Sequence, residues 1–182
     1  MIRTKDIIDE YDKRIRLVSK DVTFPLDNKT KEIINDSLEM LRLSQIDEEA
    51  KKYDLRPGMG LSLIQLGITK RIFVICYEVD NGKFENYVVI NPKILSESEE
   101  KIYVEEGEGC LSINREIKGI VPRSARIKAE YYDIDGNKIT KRFREELSIV
   151  FQHEFDHLNG ILFYDRIDKN NPFKNADKYR PI

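Results

Sequence analysis

Both histidines of the chain fall in one pentapeptide, His153-Glu154-Phe155-Asp156-His157, and that clustering points to a metal. On a helix, residues four apart lie one above the other. Two imidazoles can then reach one ion while the intervening glutamate points at a neighbouring position. The pattern supplies two ligands and a base, which suits metal-assisted hydrolysis of an amide-like carbonyl.

A catalytic site of this kind needs three protein ligands and an open position for water. Downstream, the chain follows HExxHxxGxxH as far as Gly160 and then has Phe163 where the histidine should stand, and no glutamate occurs after His157. Asp165 and Asp168 remain there as weaker candidates. Upstream, Cys110 lies in Glu106-Gly107-Glu108-Gly109-Cys110-Leu111-Ser112. Glycines there let the backbone approach an ion, and a thiolate is a strong ligand. Cys76 sits instead in Ile72-Phe73-Val74-Ile75-Cys76-Tyr77, which reads as a buried strand with the cysteine as a small hydrophobe.

The pentapeptide is useful only on a helix. Leu147, Val150, Phe151, Glu154 and Leu158 follow helical spacing, Glu145 and Glu146 favour the positive end of the helix dipole, and Asn159-Gly160 is a stop. The spacing predicts a helix over about 145–158. Val150 and Leu158 flank Glu154 one turn away on either side, an apolar setting that raises a carboxylate's pKa.

Earlier in the chain, Asp27 or Asn28 can cap a helix running to about Ala50, with Ile33, Ile34, Leu38 and Leu41 on its inner face. A loop over 57–65 follows. Strands are expected over 72–77, 86–91, 101–105 and 127–132, and Asp135-Gly136 turns the last of these into 138–143. Strands first and a single helix last predict an α+β fold, with mixed or antiparallel sheets wrapped around a C-terminal metal-bearing helix.

A chain of 182 residues suits one domain, here 1–182, with a polar and loosely held tail from about 165. Its net charge of -2 gives no broad attraction to nucleic acid or anionic membrane, so sequence-specific nucleic-acid binding is not expected. The opening Met1-Ile2-Arg3-Thr4-Lys5-Asp6 is charged at once and no apolar run reaches the length of a membrane span. A cytoplasmic protein is expected, and a thiolate ligand with a buried free thiol agrees with a reducing compartment.

Glu108-Gly109-Cys110-Leu111-Ser112 and His153-Glu154-Phe155-Asp156-His157 resemble two of the three signature motifs of the peptide deformylases. The third, GxGLAAxQ, appears as Gly58-Met59-Gly60-Leu61-Ser62-Leu63-Ile64-Gln65. All three occur in the family's order, and the resemblance runs from about Pro25 to Arg166. Ser62 and Leu63 replace the usual alanines, and Ile64 stands where many members have proline. The charged stretch over 47–56 resembles the insertion of the longer, Gram-positive type.

The resemblance implies that Cys110, His153 and His157 are metal ligands and that Glu154 is the general acid-base. It assigns oxyanion stabilisation to the Gln65 amide and the Leu111 backbone N–H. Gly58, Gly60, Leu61, Glu108 and Gly109 would meet the substrate, with Gly60 letting an extended peptide lie close to the backbone. Glu108 and Arg123 would brace the Cys110 loop, and Asp156 could orient a ligand. One divalent ion per chain is implied, Fe2+ in the cell, with Zn2+, Ni2+ or Co2+ able to substitute. The implied reaction is hydrolysis of the N-formyl group from the initiator methionine of nascent chains, met at the ribosome, with release of formate. Two other readings fit parts of the pattern: a zinc endopeptidase using His153, His157 and Asp165, and a non-catalytic metal-stabilised binding protein with its fourth ligand position filled.

Overall fold

A computed structural model describes residues 1–80 and 82–182. Helix α1 spans Asn28–Ser44 and is capped by Asp27, whose Oδ1 accepts from Thr30 N at 2.8 Å. It stops short of Ala50. At Gln45 the side-chain amide donates back to the Leu41 carbonyl (3.1 Å) and across to those of Gly58 (3.1 Å) and Cys76 (2.8 Å), and the chain restarts as α2 at Asp47–Tyr53. Asp47, Glu48 and Glu49 occupy the first turn of α2, where the helix dipole favours negative charge.

The stretch expected as a loop contains a short strand, β1 at Gly60–Ser62, followed by a 3-10 turn over Leu63–Leu66. Strands β2 (Ile72–Asp80) and β3 (Lys83–Glu97) come next, then β4 (Lys101–Tyr103), β5 (Arg123–Ser124), β6 (Arg126–Tyr132) and β7 (Lys138–Arg144). The main sheet is antiparallel with order β1-β2-β3-β6-β7, so β1 is an edge. Helix α3 (Glu145–His157) follows β7 directly.

Alternation along β2 shows how the layers are held. Ile72, Val74 and Cys76 pack with Ile34 and Leu41 of α1, while Phe73 and Ile75 pack with Phe151 and Leu158 of the α3 region. These five residues of β2 are fully buried, as a strand stretch covered by helices on both faces requires. Phe151 meets Phe73 edge-on at 5.0 Å and Phe143 at 4.7 Å between ring centroids, which fixes the rotation of α3 about its axis.

Gly160 ends the α3 region with φ +71°, and a side chain there would meet the Arg16 carbonyl oxygen at 2.3 Å, so only glycine fits. The polar C-terminal segment is more ordered than its composition predicts. Strand β8 (Arg180–Pro181) pairs in parallel with β4, completing a smaller sheet of order β5-β4-β8. Ile182 N donates to Tyr103 O at 2.9 Å, and Arg180 bonds Glu100 and Glu145. Main-chain pairing, which composition does not report, holds this segment. No helix among the described residues is long and apolar enough to cross a membrane.

Candidate metal centre and catalytic cleft

The helix brings His153 and His157 to one face with ring centroids 5.1 Å apart, and the loop before β5 brings Cys110 against them. Ligand atoms of Cys110, His153 and His157 lie within 4.8 Å of one another, with Cys110 Sγ 3.3 Å from His157 Nε2. Among the described residues this is the one such group, and neither Asp165 nor Asp168 belongs to it. Asp165 is paired with Arg16 and accepts from Leu162 N, while Asp168 accepts from the Asn170 and Asn171 N–H groups and from Lys174. Cys76 is fully buried in β2, as expected, where burial pushes its thiol up to about 11.

The donor set suits a divalent cation of the zinc and iron class: one sulfur and two imidazole nitrogens. His153 Nδ1 lies 2.8 Å from Glu108 Oε2, which fixes the ring and leaves Nε2 for the ion. Burial acts to lower the pKa of His153, but the Cys110 thiol and the Glu108 carboxylate more than offset it and hold His153 well above the ordinary value. His157 lies well below its ordinary value because of burial and the neighbouring His153 charge.

Behind the ligands runs a chain of charges. Arg123, only 2% exposed, donates through Nε and Nη2 to Glu108 and through Nη1 to Asp156 at 2.9 Å. Asp156 also accepts from Arg166. Burial acts to raise the Glu108 carboxyl, yet the Arg123 charge and the His153 contact hold it at about 2. Asp156 therefore does not touch a ligand directly among the described residues. It reaches His153 through Arg123 and Glu108.

Glu154 sits beside the ligands with its side chain buried. Ser62 Oγ lies 2.8 Å from Glu154 Oε2 and 2.9 Å from the Glu154 carbonyl, two acceptors for one hydroxyl proton. Burial raises the Glu154 pKa, against the His153 charge and the Ser62 bond, in the direction expected from Val150 and Leu158. Gly60 gives this carboxylate its room: a Cβ there would stand 2.5 Å from Glu154 Oε1. Gln65 is almost fully buried. Its Oε1 accepts from Ser62 N at 2.9 Å, which turns its NH2 toward Ser112 Oγ (3.1 Å) and Cys110 Sγ (3.7 Å).

A cleft opens over these groups, lined by Gly58, Gly60, Gln65, Glu108, Gly109, Cys110, Leu111, His153 and Glu154. Leu61 is not in its wall, because the Leu61 side chain is fully buried in the core cluster beneath β1. The carboxylate of Glu108 is taken up by Arg123 and His153, so that side chain is not free for a substrate. Sequence reasoning missed Arg56, Ser112 and Arg166, whose partners lie on other segments where no local spacing marks them.

The family model described as "Polypeptide deformylase" matches residues 4–173, a wider span than the motifs alone cover. The chain belongs to this family. It is 41% identical over 182 residues to "Peptide deformylase 2" of Bacillus anthracis, covering 100% of this chain and 99% of that one. It is 46% identical over 175 residues to "Peptide deformylase" of Ligilactobacillus salivarius, covering 94% of each. Among solved structures, peptide deformylase from Thermotoga maritima aligns with a TM-score of 0.70 at 37% identity, over 89% of this chain and 96% of that one. Peptide deformylase 1B of Arabidopsis thaliana, in complex with an inhibitor, aligns with a TM-score of 0.74 at 27% identity, over 90% and 82%. The enzyme is thus a metallohydrolase with a Cys-His-His metal site, and its activity is removal of the N-formyl group from nascent peptides.

Proposed function

We propose that Cys110, His153 and His157 hold one divalent ion and that Glu154 is the acid-base residue of deformylation. The ion is ferrous iron in the cell, following the family, and Zn2+, Ni2+ or Co2+ can replace it. When bound there, such an ion would supply Lewis-acid chemistry, lowering the pKa of a water toward about 7.

The chain's own residues do the rest. Glu154 takes the proton of the attacking water and returns one to the leaving amine. Its raised pKa suits a group that must both accept and give. Gln65 Nε2 and Leu111 N–H donate to the formyl oxygen as it gains negative charge. The peptide lies extended beside Gly60 on the free edge of β1, in contact with the backbone at Gly58 and Gly109. Residues 1–182 act as one catalytic domain, in the cytoplasm, on formyl-methionyl chains emerging at the ribosome.

The observation that carries this reading is the placement of Glu154 beside three converging ligand atoms, in a pocket that Gly60 leaves open. Metal content and turnover of site variants test it. Glu154→Ala should keep one metal per chain and lose turnover, whereas Cys110→Ser, His153→Ala and His157→Ala should lose the metal. Retention of the metal by Cys110→Ser, with cleavage of unformylated peptides, would instead favour the endopeptidase.

A further inference from the structure

Two charged residues in the cleft wall, Arg56 and Glu146, have no part in that chemistry, and Arg56 is the one bonded to the site. Arg56 stands just before Gly58 and Gly60 at the start of β1, and its guanidinium reaches across to the loop that carries Cys110 and Leu111. Nη2 donates to the carbonyls of Cys110 (3.1 Å) and Ile113 (3.0 Å). Nη1 donates to the Leu111 carbonyl (3.2 Å) and to Asn114 Oδ1. All four acceptors are neutral, so the cation is spent on backbone and amide dipoles.

The choice of carbonyls is informative. Cys110 C=O and Leu111 N–H belong to one planar trans peptide, so fixing the oxygen fixes the direction of the N–H on the other side. A bond to the Leu111 carbonyl fixes the next plane as well. A guanidinium on the Cys110 oxygen also draws electron density from that peptide and makes its N–H a stronger donor. The turn does not need Arg56 to exist, because Ile113 N already donates to Cys110 O at 3.1 Å.

We propose that Arg56 is a positioning residue for deformylation, which aims and polarises the Leu111 N–H at the oxygen that becomes negative. The proposal rests on the reading of Leu111 and Gln65 as the donors to that oxygen. Lysine cannot replace Arg56, since an ammonium lacks the planar fork that spans these acceptors.

The test compares metal-loaded wild type, Arg56→Ala, Arg56→Lys and Gln65→Ala on a formyl-Met-Ala-Ser peptide. It measures kcat, KM, metal per chain and thermal unfolding. Misaiming a transition-state donor should lower the kcat of Arg56→Ala by about 10- to 100-fold with KM little changed. Metal content should stay at the wild-type level, Arg56→Lys should recover little, and added millimolar guanidinium should restore part of kcat to Arg56→Ala alone. Wild-type kcat in Arg56→Ala beside a lowered kcat in Gln65→Ala would overturn the proposal and leave the oxyanion reading intact. Wild-type kcat in Gln65→Ala would overturn the oxyanion reading, and the proposal with it. Loss of metal or fold in Arg56→Ala in proportion to lost activity, with Arg56→Lys restoring all of them, would make Arg56 a structural brace and also overturn the proposal.

Discussion

Replacing Arg123 with methionine probes the charge chain behind the metal centre. Arg123 is 2% exposed, and the side chains of its two partners, Glu108 and Asp156, are 4% and 3% exposed. Glu108 is held at about 2 against an ordinary 4.5, a gap of about 2.5 pH units. At roughly 1.4 kcal/mol per unit this corresponds to roughly 3–4 kcal/mol of stability, and solvent screens little of it at that depth. Breaking a buried ion pair by removing one partner costs about 3–5 kcal/mol, which agrees. Arg123→Met should therefore lower stability by about 3–5 kcal/mol near pH 7, or Tm by about 10 °C for a chain of this size.

The sign with pH follows from the same shift. Glu108 has a folded-state pKa below its unfolded value, so its contribution is complete above about 4.5 and is lost as pH falls toward about 2. Without Arg123 the buried carboxyl titrates at higher pH than in wild type, so protonation relieves the variant first. The stability gap between the two proteins is widest near pH 7 and narrows by about pH 4. Adding Glu108→Gln to Arg123→Met should recover part of the loss, because one unpaired buried charge is then gone. Urea unfolding of chelator-treated proteins at both pH values measures this without interference from metal release. A loss below about 1 kcal/mol near pH 7, or a gap that does not change with pH, would refute the reasoning.

Gly60→Ala places a methyl group 2.5 Å from Glu154 Oε1 and 2.8 Å from its Cγ. It should cut kcat by about 10- to 100-fold with metal per chain unchanged, and an unaltered kcat in steady-state assays would show that Glu154 has room to spare. Cys76 titrates at about 11, raised by burial from 9.0, so its contribution to stability is complete below about 9 and is lost as pH rises toward 11. In a Cys110→Ser background, where Cys76 is the remaining thiol, iodoacetamide near pH 8 should label it after unfolding in urea and not while the protein is folded. Rapid labelling of the folded protein would contradict its burial.

Much of the site is legible in the sequence because its chemistry is local. His153, Glu154 and His157 share one helical face, and the capping and stop signals around them place that helix to within a residue. The glycines around Cys110 distinguish it from Cys76 by sequence alone. The break of the first helix at Gln45 is not legible, because the Gly58 and Cys76 carbonyls that the Gln45 amide bonds there are distant in the chain. Strand β1 is too short to show alternation and exists through its pairing with β2, from Gly60 against Ile75 to Ser62 against Phe73. The C-terminal segment reads as loose for the same reason, since its order comes from β4. Leu61 buries its side chain in the core, and Asp156 meets the ligand His153 at one remove, through Arg123 and Glu108.

The most direct test of the central claim is formate release from a formyl-Met-Ala-Ser peptide by protein purified without oxygen and loaded with ferrous iron, beside Glu154→Ala and an N-acetylated control peptide. Formate from the formylated peptide with wild type, and none with Glu154→Ala carrying the same metal content, is the expected result. Wild-type protein with one metal per chain that releases no formate, or a Glu154→Ala variant that releases it at the wild-type rate, would contradict it.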